Sequence, residues 1–120
     1  MTKKEYKIII NTGSRKEGSI GFEPEFSEFE TNIINGHLDG LIIDSDEQVS
    51  VTITSELGYL IFHSAQHKGI NYYAPRALLQ GAISNIIVQD QFEKFNLNER
   101  LNIRVSGPTD TNVKIILRID

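Results

Sequence analysis

Leu101, Ile103 and Val105 alternate with Asn102, Arg104 and Ser106; after a short link, Val113, Ile115, Leu117 and Ile119 alternate with Asn112, Lys114 and Arg118. Only Ile116 breaks the polar row. A period of two sends successive side chains to opposite faces, so each run is a strand with one face buried and one facing water. The link Gly107-Pro108-Thr109-Asp110-Thr111 is made of turn residues. The pattern therefore predicts a C-terminal β-hairpin with seven apolar side chains on one face. A lone hairpin is marginal in water, so that face requires a second layer.

The rest of the chain repeats this theme. Residues 6–11 read as a first strand closed by Asn11-Thr12-Gly13-Ser14, 15–19 as a loop, and 20–30 as an extended segment, because Pro24 opposes a helix interior and suits an edge strand or arm. Asn35-Gly36 between apolar runs predicts a hairpin turn. Residues 44–47 form an acidic turn, Val49, Val51 and Ile53 a half-buried strand, and residues 58–63 another, followed by a polar loop over 64–69. A short aromatic strand at 70–74 ends at Pro75, residues 76–82 suit a helical turn, residues 86–88 a strand, and Asn98-Glu99 a turn into the final hairpin. Eight or nine short strands at this spacing suit a sandwich or barrel.

A chain of 120 residues fits one domain with its own core. Hydrophobic residues at 39% lie below the usual globular share, which fits a small domain with much surface or one whose burial is completed by neighbours. The net charge of −4 and the lack of a basic block longer than Lys3-Lys4 leave no footprint for nucleic acid. With no cysteine there is no disulfide framework and no thiol chemistry. The apolar run Ile8-Ile9-Ile10 is too short for a signal core or membrane span, so the expectation is a soluble protein made in the cytoplasm, with no membrane partner.

Sequence patterns for catalysis are weak. His63 and His67 have the four-residue spacing of a helical metal site but lack its helix and its glutamate, so two loop histidines are the better reading. Asp39, Asp44, Asp46 and Glu47 lack the spacing and central glycine of a calcium loop. Glu23, Glu25, Glu28 and Glu30 lack the asymmetry that a glycosidase pair requires. There is no nucleophile elbow or phosphate loop. No catalytic residue, metal or cofactor is expected. What stands out is adhesive: Phe22, Phe26 and Phe29 in the extended segment, then Tyr72 and Arg76 within Ile70-Asn71-Tyr72-Tyr73-Ala74-Pro75-Arg76, since Tyr and Arg are enriched in binding hot spots. Against the latter stands the plainer reading that a tyrosine covers a sheet face while Arg76 stays in water.

The runs at residues 35–45 (Asn35-Gly36-His37-Leu38-Asp39-Gly40 onward), 49–53, Tyr72-Tyr73-Ala74-Pro75-Arg76, and 96–108 resemble small all-β structural proteins of tailed bacteriophages. The resemblance covers the last two-thirds of the chain and implies a virion subunit, such as a capsid decoration, neck or tail component. The first 30 residues lie outside it and are the candidate for an arm laid on a neighbour.

The expectation is therefore an all-β protein: a single antiparallel β-sandwich, jelly-roll-like, over residues 31–120, with an N-terminal strand and extended arm over 1–30. Its function is non-enzymatic assembly with copies of itself or other virion proteins, as a homo-oligomer within the virion. A carbohydrate-binding sandwich is the rival, and it needs an exposed aromatic platform in a chain with no Trp and four Tyr. A cupin-like enzyme would need His37, His63 and His67 to cluster.

Overall fold

The computed structural model describes residues 4–12, 25–79, 91–108 and 110–120, and the regular structure within them is all β-strand. The strands are β1 (Lys4–Asn11), β2 (Glu25–Glu30), β3 (Ile34–Ser55), β4 (Leu60–Tyr73), β5 (Ala77–Leu79), β6 (Gln91–Glu93), β7 (Asn96–Glu99), β8 (Leu101–Gly107) and β9 (Asn112–Ile119). All pairing among the described residues is antiparallel. The main sheet runs β1-β9-β3-β8-β2, with β4 and β7 also paired to β3, while β5 and β6 form a separate pair. The expected strand at 86–88 and the residues 13–24 of the N-terminal segment lie outside the described residues.

Strand β3 organises the sheet. It is 22 residues long, whereas ordinary strands have about 3–10. Its residues 38–45 pair with β9 and its residues 50–55 with β8, while β4 accompanies it from Leu41 to Thr54. A hairpin over residues 107–111 would set Arg104 against Lys114, but Arg104 opposes Thr52 and Lys114 opposes Asp44. The expected hairpin is thus corrected: both strands exist, yet their link carries the chain round a corner, from one half of β3 to the other. Alternation cannot distinguish the two outcomes, because the same side chains face inward in both.

The corner lies where β3 is irregular. Residues 46–48 are all exposed between buried Ser45 and Val49. Pairing with β4 slips there from Ser45 opposite Gly69 to Val49 opposite His67, with Gly69 at φ +85°. Extra residues on one strand bend it and increase its twist, and here the whole sheet curls. The inward side chains of both halves then share one core, in which Leu41, Ile43, Val51, Ile53, Ile103 and Ile115 are wholly buried. Each contributes roughly 1.5–3 kcal/mol relative to exposure.

Further expectations are corrected. Asn35-Gly36 makes no turn; both lie inside β3, opposite Asn98 and Leu97. Gly36 holds φ +132°, and a Cβ there would sit 2.5 Å from Ile119 Cγ2 and 2.7 Å from the Asp120 carbonyl oxygen, so the glycine serves a close chain crossing. The polar loop at 64–69 is part of β4, whose register shifts admit its polar residues. Of the helical turn at 76–82, residues 77–79 are strand, and Asn98-Glu99 belongs to β7. Of the first 30 residues, β1 pairs with β9 and β2 with β8, so their described parts are edge strands of the same sheet. Two buried threonines tie these edges in: Thr12 Oγ1 accepts from Thr111 N–H at 2.9 Å, and Thr31 Oγ1 from Leu101 N–H at 2.9 Å.

Candidate interaction surface

Four strands, β1, β9, the first half of β3 and the end of β4, form one side of the curled sheet, and their registers fix which residues share its outer face. Leu41 and Ile43 point into the core, so Ile42 and Asp44 point out. Residues directly opposite each other share a face. One cross-strand row is therefore Lys7, Ile116, Ile42 and Tyr72, and the next is Ile9, Lys114, Asp44 and Ile70. Ile9 is 70% exposed, Ile70 71% and Tyr72 52%. Antiparallel sheets ordinarily carry polar residues on their wet face, and five large apolar side chains in two adjacent rows depart from that rule. Ile116, the exception in the alternating sequence, marked this face; Ile9 and Ile42 were hidden inside uniformly apolar runs.

Tyr72 and Arg76 converge on one irregularity. Registers slip between Leu38 and Gly40, and Tyr72 lies across Gly40 so closely that a Cβ there would be 2.2 Å from its hydroxyl. The Arg76 guanidinium donates to the carbonyls of Asp39 at 3.0 Å and Pro75 at 2.9 Å. Lys94 joins this end of the sheet, with Asp39 Oδ1 2.9 Å away and a second ion pair to Asp120. These two carboxylates, Asp120 first, hold the Lys94 ammonium above the usual lysine range. Arg76 thus works on backbone at the base of the face, and Tyr72 stands on it.

Phe29 does not join them. Phe29 opposes Ile103, whose side chain is core, so Phe29 faces inward from the β2 edge. It lines a cleft of about 330 Å³ between the β1 and β2 edges, together with Tyr6, Ile8 and Ile34. Phe22 and the Phe26 side chain lie outside the described residues.

The histidines are separated as well. His63 opposes Thr52 on the outer side and its Nδ1 lies 2.8 Å from Thr52 Oγ1. His67 opposes Val49 and is buried. Its Nε2 donates to the Gly69 carbonyl at 2.8 Å, which leaves Nδ1 to accept from the Tyr73 hydroxyl at 2.7 Å. Tyr73 in turn packs on Phe62 with ring centroids 4.8 Å apart. That chain of contacts pins β4 at the corner. At the far end, the Tyr59 hydroxyl donates to the buried Glu99 carboxylate while its ring stacks on Phe95. Burial, and then this hydrogen bond, raise the Tyr59 phenol above its usual range.

Chemically, the outer face offers apolar contact framed by Lys7, Lys114 and Asp44, its residues pointing the same way off a pleated surface. No protein-family model matches the chain, and no curated protein or solved structure is found to be similar to it.

Proposed function

We propose that the protein is a non-enzymatic structural subunit that acts by protein–protein assembly, and that its curled sheet is a jelly-roll-like β-sandwich. The observation that carries this reading is the outer apolar face on which exposed Ile9, Ile70 and Tyr72 surround half-buried Ile42 and Ile116. A role in a bacteriophage virion, as a capsid decoration, neck or tail component made in the host cytoplasm, is the setting in which a small adhesive β-protein of this kind fits. Sugar binding is less well supported, since a platform needs adjacent flat rings and on this face Tyr72 stands among aliphatic side chains.

Light scattering of the purified chain over a range of concentrations tests the reading. The expected result is a mass that rises with concentration. A chain that stays monomeric throughout, yet turns over a small-molecule substrate or binds a glycan saturably, overturns it.

A further inference from the structure

We infer that the partner covering the outer face is a second copy of the same chain, packed face to face about a two-fold axis parallel to the strands and lying between β9 and β3. This inference rests on the assembly reading above and gives it a geometry. Such an axis keeps height along the strands and exchanges columns, so β1 of one copy meets β4 of the other and β9 meets β3. The two rows then become self-complementary. In the first, Ile116 meets Ile42 of the second copy and Lys7 lies over the ring of Tyr72, a cation against an aromatic face. In the second, Ile9 meets Ile70, and Lys114 meets Asp44. Across the axis the four charges alternate in sign, and no apolar side chain is set against a carboxylate.

The charge balance of the face agrees. The chain carries a net −4, but this face presents Lys7, Lys114 and Arg118 against Glu5 and Asp44, with Arg118 and Glu5 an ion pair 3.9 Å apart. Repulsion between two acidic chains is thus reduced where these faces meet. Size sets the strength of the association. Four strands spaced at about 4.8 Å and eight residues at about 3.3 Å per residue give a footprint near 500 Å² per copy. The total of about 1,000 Å² sits at the lower limit for a specific interface, so the dimer is weak and concentration-dependent.

The test uses two charge reversals in the full chain, Asp44→Lys and Lys114→Glu, followed by sedimentation equilibrium. Each variant alone places like charges across the axis and weakens self-association by about tenfold or more. In an equimolar mixture of the two, the lysine introduced at position 44 of one chain faces the glutamate introduced at position 114 of the other, and association recovers to within about threefold of wild type. No repair within one chain can produce that recovery. Wild-type association by both single variants, or a mixture as weak as its parents, overturns this packing and leaves the assembly reading standing. A wild-type chain that is monomeric at all concentrations overturns the packing and withdraws self-assembly with it. If either reversal prevents folding, judged by circular dichroism, the exposed pair Ile9→Lys and Ile70→Glu provides the same mixing test with the same two outcomes.

Discussion

Gly36 and Gly58 both hold a positive φ, at +132° and +96°, but their surroundings differ. A Cβ at Gly36 runs into Ile119 and the backbone of Asp120, whereas one at Gly58 meets nothing within 4 Å. Chemical denaturation should therefore show Gly36→Ala costing about 3 kcal/mol and Gly58→Ala about 1 kcal/mol. Equal losses would mean that the chain crossing at Gly36 does not exist. Tyr59 permits a test by pH. Its phenol is raised by burial and by Glu99, so the folded chain holds that proton more tightly than the unfolded chain, whose tyrosine titrates near pH 10. The stability so contributed is intact below about pH 10 and is lost as pH rises through the folded value. Tyr59→Phe should remove this alkaline loss, and in absorbance titration it should remove a tyrosine that ionises above the usual phenol range. The sequence identified Tyr72 and Arg76 as notable residues but not their shared anchor, since the Asp39-Gly40 irregularity exists only once β9 and β4 are both in place.

Among the elements, β8 and β9 give the sharpest contrast between pattern and pairing. Their inward rows were legible because alternation is a local property. Their partner was not, because any strand with a matching face satisfies the same alternation. A chain without cysteine makes this directly testable. A Thr52→Cys, Arg104→Cys pair should cross-link under mild oxidation, since these residues oppose each other, and an Arg104→Cys, Lys114→Cys pair should not. The reverse result would restore the hairpin. Strand β4 depends on a buried polar contact: Tyr73→Phe leaves His67 Nδ1 without its donor and should cost about 1–2 kcal/mol in denaturant melts.

At the scale of the whole molecule, β1 supplies Ile8 and Ile10 to the core and covers the edge of β9. Deleting residues 1–12 should therefore abolish the cooperative unfolding transition, and not merely dissociate a folded chain, as calorimetry can show; a truncated chain with an unchanged transition would make β1 a detachable arm. The sequence by itself determined the β class, most of the strands and their buried faces, because these follow from side-chain period and backbone preference within a few residues. Only the tertiary structure decided that β3 runs unbroken through Asn35-Gly36 and the acidic stretch, and that the outer isoleucines align into rows. Those outcomes depend on register between segments distant in sequence, which is set by burying both halves of a bent sheet at once.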